Sequence, residues 1–518
     1  MKRSFLRRAV LVAIATMFCA SLQTALAQWS SDSTVNTAIA VATGSQSAPS
    51  VFSDGAGGGL FTWTDGRSGN NDAYAQMLNA SGVAQWAANG VVISAAAGDQ
   101  NNPMAVPDGS GGYIITWWDT RNSSYDIYAQ RINSSGVAQW TADGVPVCTA
   151  AGNQVFPMIV PDGSGGAIIT WDDSRSGTSD VYAQRINGSG AVQWTADGIQ
   201  VCSATGNQTL PTLISDGSGG AFITWTDARG INYDIYAQRV NANGDTLWTK
   251  DGVVICAATA MQRNPAIISD SAGGAIIAWE DRRSGTDWDI YAQRVDGSGV
   301  VQWTADGVVV VSTTDDQTIP VLVSDGGGGA IIAWSDFRTG TNADIYAQRI
   351  NSSGVRQWGT NGKGIVTLSG SQGSPAITID GSGGAIIAWD DGRNGNTDIY
   401  GQRIDGSGNG QWNPGGIAIC IATGSQDLGV ANNRNIRPII SDGSGGAIIV
   451  WADPRNGVGT DVYAQWVGST SVLPVEMVSF SASAQATTVA LAWTTATEVN
   501  NYGFDVERQA VSSQHSAL

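Results

Sequence analysis

Histidine is nearly absent: His515, close to the end of the 518-residue chain, is the only one. A Ser-His-Asp or Cys-His site is therefore excluded from the rest of the chain, and no zinc-ligand cluster can be assembled. Charge is sparse, at 14% of residues against about 25% in average proteins. Its balance is acidic, with 44 Asp and Glu to 26 Lys and Arg. A formal charge of -18 excludes nucleic acid as a partner, because phosphates would be repelled. The Lys, Glu and Leu heptads of a coiled coil are missing, as is the strict glycine triplet of collagen. Cysteine is limited to five residues.

One long apolar run exists, and it lies at the start. Lys2, Arg3, Arg7 and Arg8 precede an apolar stretch over residues 9–22, and Ala25-Leu26-Ala27 gives the small-x-small pattern before Gln28. This is the layout of a cleaved secretory signal, and the run is short of the ~20 residues that span a bilayer. Residues 1–27 are read as a signal peptide, whose loss takes the charge from -18 to -22. The expected location is secreted or cell surface, with no membrane span.

What is abundant is glycine (67) and tryptophan (20), and both are periodic. Trp63, Trp117, Trp171, Trp225, Trp279, Trp334, Trp389 and Trp451 recur at intervals of 54, 54, 54, 54, 55, 55 and 62. A second Trp follows the first seven, at Trp86, Trp140, Trp194, Trp248, Trp303, Trp358 and Trp412. Each unit reads as four short strands. Strand a is an apolar segment ending in a Ser-Asp-Gly-Ser-Gly-Gly turn whose glycines supply positive φ. Strand b is of the type Ala-Ile-Ile-Thr-Trp, strand c of the type Asp-Ile-Tyr-Ala-Gln-Arg-Ile, and strand d runs from Val-Gln-Trp to Gly-Val-x-Val. Four β-branched, aromatic-rich strands in about 54 residues, repeated, describe a β-propeller blade.

The eighth unit stops after strand c, near Trp466, whereas Gln28-Trp29 opens a segment through Gln46 that matches the missing strand d. Seven whole blades and one split blade would close a ring and remove the exposed edges of a linear array. The expected fold is all-β: an eight-bladed β-propeller of four-stranded blades over residues 28–467, closed by the N-terminal strand, plus a partial C-terminal β-sandwich. An open solenoid is the alternative.

All eight units carry Trp-x-Asp-x-Arg, with the pairs Asp65 and Arg67, Asp119 and Arg121, Asp173 and Arg175, Asp227 and Arg229, Asp281 and Arg283, Asp336 and Arg338, Asp391 and Arg393, and Asp453 and Arg455. Alternate strand positions share a face, so Trp, Asp and Arg project together. The Asp that opens strand c is expected to reach the same Arg across the b–c loop. Eight equal copies point to a structural brace rather than to a cation-binding ring. No catalytic residue and no metal site is assigned. The acidic turns resemble loose calcium loops, but each offers one or two carboxylates where calcium takes six to eight oxygens. No cofactor is expected, and calcium is the one alternative kept for these turns. Cys148, Cys202, Cys256 and Cys420 sit at equivalent ends of strand d, too far apart for disulfide geometry, and are read as buried thiols.

Function is sought where the units differ. Tyr125, Tyr233 and Trp288 stand just before the strand-c Asp, with Arg282 and Phe337 near them on b–c loops. Aromatic planes beside Asp and Asn suit sugar rings or a protein loop. An extra stretch over residues 427–437, with Arg434 and Arg437, is expected to cap one end of the central channel. The reading is a non-catalytic binding scaffold, monomeric, that recognises glycan or protein through one propeller face. The alternatives are a carbohydrate-active hydrolase using channel carboxylates and a purely structural or adhesive repeat protein.

The chain ends differently. Leu473-Pro474-Val475-Glu476 is followed by Trp493-Thr494-Thr495-Ala496-Thr497-Glu498-Val499-Asn500-Asn501-Tyr502-Gly503-Phe504. Residues 473–508 resemble the start of the fibronectin type III-like module found near the C-terminus of bacterial surface proteins exported by the type IX secretion system. The resemblance implies a sandwich and that export route. Residues 468–518 are thus expected to be a linker and a truncated fibronectin type III-like segment.

Overall fold

The computed structural model describes residues 29–30, 32–340, 342–430, 436–469, 477–485 and 488–495. The expected signal peptide lies outside the described residues. The chain divides into two units, Met1–Ser471 and Val472–Leu518.

The first unit is all-β, with eight four-stranded antiparallel sheets. Blade 3 shows the plan: strand a Gln154–Pro161, strand b Ala167–Asp173, strand c Asp180–Ile186 and strand d Ile199–Cys202. Strand b is buried along its whole length. That explains its unbroken Ala-Ile-Ile run, since a blade packs on neighbours through both faces. Register sets Trp171 opposite Tyr182 and Asp173 opposite Asp180. The strand-b tryptophans are the largest side chains in the core, each with no exposed surface.

The eighth blade closes the ring. Its strands a, b and c are Ile439–Ser441, Ala447–Asp453 and Asp461–Val467, and its outer strand is Thr37–Ala40 from the other end of the chain. Thr37 is opposite Ala464, and Ala38 opposite Tyr463. The same-sheet pairing excludes the open solenoid.

Strand d is shorter than its repeat suggests. Trp194 lies before the strand proper, where the chain touches strand c through the Ile186–Val192 bridge and through Gln184, whose Oε1 accepts the Trp194 amide and whose Nε2 donates to the Thr195 carbonyl. Gly198 intervenes with φ +89°, and a Cβ there would come within 2.7 Å of the Trp171 ring. A left-handed glycine over the core indole turns the chain before strand d can start.

Among the described residues, the second unit contains one antiparallel hairpin, Met477–Gln485 with Thr488–Thr495. The remainder of the sandwich expectation falls outside the described residues. Among the described residues, no helix is long and apolar enough to cross a membrane.

Candidate binding face and central channel

Strand b carries each Asp-Arg pair to the end of the sheet. In all eight blades Arg Nη2 meets the carboxylate of the Asp two residues earlier at 2.5–2.6 Å. In blade 3 the other partners are visible. Asp173 also accepts the Trp171 indole at 2.8 Å, and Arg175 Nη2 reaches the Asp197 carbonyl at 2.8 Å. The guanidinium carbon lies 3.9 Å above the Tyr182 ring. Seven further blades repeat this stacking at 3.7–4.1 Å.

The strand-c Asp does not join this pair, contrary to expectation. The guanidinium lies flat on the strand-c Tyr and turns its fork toward strand b. In blades 2 and 7 the strand-c carboxylates bond to loop side chains instead: Asn122 donates to Asp126 at 2.8 Å and Asn394 to Asp398 at 2.7 Å. Burial pushes Asp234 and Asp289 up to about 6.

A second set of arginines escaped the sequence reading. Arg131 of strand c binds Asp108 in the a–b turn at 2.8 Å, and its Nη1 donates to the Gly188 carbonyl of the next blade. Asp108 Oδ1 meanwhile accepts the Ser110 and Gly112 amides. Blades 3 to 7 repeat the ion pair. Blade 1 has Met77 at this position, and blade 8 has Trp466, whose indole donates to Asp442 at 2.8 Å. The signal was present in the sequence as an Arg that recurs with the acidic turn. The turn carboxylates considered for calcium thus bind turn amides and guanidinium groups. Among the described residues no cluster of three His, Cys, Asp or Glu side chains is placed to hold a metal ion.

The four strand-d cysteines are free and buried. Burial pushes each thiol up to about 12.

The irregular residues on the b–c loops are not gathered into one cluster. Tyr125, 36% exposed, leans on Trp118 with ring centres 4.8 Å apart. Tyr233, 38% exposed, follows Ile231, whose side chain is entirely exposed. Trp288 is buried; the Arg263 guanidinium covers its ring at 3.8 Å and Arg282 stands at 5.7 Å. Arg263 is held by Glu280 at 2.8 Å. Phe337 is half-buried, and its amide donates to the Asp316 carbonyl.

Another variable position was overlooked: the x of Trp-x-Asp. Strand a bulges before its proline, and the bulged residue takes positive φ, as at Asn102, Leu210 and Ile319. The x side chain of the preceding blade accepts the bulged amide: Thr64 from Asn102, Asp172 from Leu210, Glu280 from Ile319 and Asp390 from Leu428. Burial pushes Asp172 and Asp390 up to about 8.

Two cavities are built on this frame. The strand-a segments of all eight blades enclose a channel of about 900 Å³, with a largely apolar wall and Arg437 within it. A second cavity of about 610 Å³ is bounded by Pro49, Asp390, Thr397, Asp427 and Thr460. Residues on both sides of the 431–435 segment, Asp427, Gly429 and Ile436, line this second cavity, and Arg437 lines the channel. The segment itself, with Arg434, lies outside the described residues. Tyr125, Tyr233, Trp288, Arg282 and Phe337 line neither cavity.

No family model matches the chain, and no curated protein matches it. The fibronectin type III-like resemblance and the export route it implies therefore rest on the residues quoted above. Solved structures do match. One is an ulvan lyase bound to -[GlcA(1-4)Rha3S]-, at 10% identity over 71% of this chain and 96% of that one, with TM-score 0.46. Another is the polysaccharide lyase Uly1, at 9% identity over 74% and 93%, TM-score 0.41. A third is the α-L-arabinofuranosidase Arb93A from Fusarium graminearum, at 11% identity over 62% and 94%, TM-score 0.36. The likeness is one of fold.

Proposed function

We propose that the protein is an exported, non-catalytic binding scaffold that recognises a glycan or protein partner through the face bearing the b–c loops. The observation that carries this reading is the uneven exposure of apolar groups on that face. Ile231 and Tyr233 project from blade 4, Tyr125 from blade 2 and Val458 from blade 8. On the opposite face the exposed valines recur with the repeat, at Val137, Val192, Val300 and Val355, and so belong to the blade plan. In blade 5 the buried Trp288 acts as a rigid bed for Arg263, and Arg282 adds a second cation beside it. Phe337 extends the same rim into blade 6.

The hydrolase reading has one observation in its favour: Asp390, held protonated at neutral pH by burial, shares a cavity with Asp427. A raised carboxyl group and a second acidic side chain facing one space suit glycoside cleavage. Asp172, however, carries the same shift in blade 3 for the same cause, burial opposed by a bulged amide. The shift therefore follows from blade packing, and the binding reading is preferred. A glycan array and a polysaccharide digest decide between them. The scaffold reading expects a retained glycan or protein whose affinity falls at least tenfold in Tyr233→Ala, with no release of reducing ends. Release of reducing ends that is lost in Asp390→Asn would overturn it.

A further inference from the structure

The channel wall is built from strand a of every blade, including Val51, Val106, Met158, Leu213, Ile267 and Leu322. These side chains are aliphatic because the innermost strands of a ring face one another across a narrow space. Blade 8 breaks the pattern. Its eight additional positions, counted against the 54-residue interval, divide the bulge: Leu428 supplies the amide that Asp390 accepts, and Arg437 takes the register place that Pro211 holds in blade 4.

The backbone of Arg437 is held firmly. Its amide donates to Ser50 Oγ at 3.1 Å, and its carbonyl accepts the Val51 amide at 2.8 Å. Its guanidinium has no acceptor among the described residues. Every other arginine among them has a carboxylate or carbonyl partner; even the exposed Arg282 and Arg356 donate to Thr286 and Thr360 carbonyls. The channel wall includes one carboxylate, Asp442, whose oxygens are taken by the Ser444 and Gly446 amides and the Trp466 indole. The surrounding channel wall, with no compensating anion, pushes the Arg437 guanidinium below its ordinary value, although the side chain itself is exposed to the channel space. The guanidinium is thus open to an incoming anion, and a charge-assisted pair is the contact this channel offers an acid group. The volume, about 900 Å³, lies in the usual range for small-molecule sites.

We infer that the central channel binds an organic monoanion with an apolar body (an alkyl or aryl carboxylate or sulfonate), its acid group paired with the Arg437 guanidinium and its hydrocarbon laid against the strand-a wall. Apolar contact supplies affinity and the charge-assisted pair fixes orientation. This site is separate from the b–c face and stands without it.

The test is calorimetric titration of the whole protein with decanoate, with 1-decanol as the uncharged control and 8-anilinonaphthalene-1-sulfonate as a fluorescent aryl probe. One saturable decanoate site is expected, weakened at least tenfold in Arg437→Met and retained in Arg437→Lys, with decanol binding at least tenfold more weakly. Thr212→Trp, which narrows the channel from blade 4, weakens decanoate without touching the cation. The absence of saturable binding by both anions would overturn the inference, as would equal affinity of decanoate and decanol, or an Arg437→Met variant that melts like the wild type and binds unchanged.

Discussion

The indole nitrogen of Trp29 donates to the carbonyl of Ala80 at 3.0 Å, across 51 positions of sequence. Seven other indoles make the same bond to the following blade, from Trp86 to Ser134 through Trp412 to Ser469. The eight bonds run once around the molecule, and Trp29 makes the one that leads from blade 8 to blade 1. Trp29→Ala is expected to cost about 3 kcal/mol, as large-to-small changes at enclosed tryptophans do, and Trp194→Ala about the same. Urea denaturation of the two variants checks this. A Trp29 variant as stable as the wild type would show that the ring does not depend on its closing latch.

The two sets of ion pairs should differ in weight. Asp227 is wholly buried and binds Arg229, the Trp225 indole and a backbone amide. Asp227→Asn leaves the guanidinium underneutralised and is expected to cost about 3 kcal/mol. Arg239, whose counterpart in blade 1 is Met77, tolerates replacement better, and Arg239→Met should cost about 1 kcal/mol. Equal costs in equilibrium unfolding would contradict the distinction.

Stability should fall as pH rises from about 4 to about 8. Burial raises Asp172 and Asp390 to about 8, so the folded chain holds two protons that the unfolded chain releases near the ordinary 3.8. Each proton contributes a slope of up to about 1.4 kcal/mol per pH unit in that window, and above it the loss is complete. Asp172→Asn removes one titration and flattens the profile. Unfolding free energies measured at pH 5, 6, 7 and 8 test the slope, and a profile that rises with pH in both proteins would refute it.

Cys148, Cys202, Cys256 and Cys420, raised to about 12, should not react in the folded protein at pH 8. A chromogenic disulfide reagent should find these four thiols only after denaturant is added. Rapid labelling of any one of them in the native state would mean that its strand d opens readily.

The blade count and ring closure were legible because the core uses one large side chain at a fixed interval: Trp63 to Trp451 give the number, and the Trp29 segment gives the missing strand. The Asp-Arg pairs could be seen for the same reason. The amide-accepting x residues could not. Thr64, Asp172, Glu280 and Asp390 share one task with different chemistry, so the repeat conceals them as variation. Arg131 and Asp108 were each visible, but 23 positions separate them, and it is the antiparallel register, with Arg131 opposite Ile114, that brings them together. Trp288 read as an exposed ring; the Arg263 that covers it comes from another strand.

The outer strand Thr37–Ala40 is made before any other part of blade 8 and is paired only with Val462, Tyr463 and Ala464. During synthesis it must wait, unsatisfied, while seven blades form ahead of its partner. Seven whole blades can therefore stand in a row before the circle is closed. The circle closes only when the two ends meet, and until then strand c of blade 8 offers a bare edge to any other chain nearby.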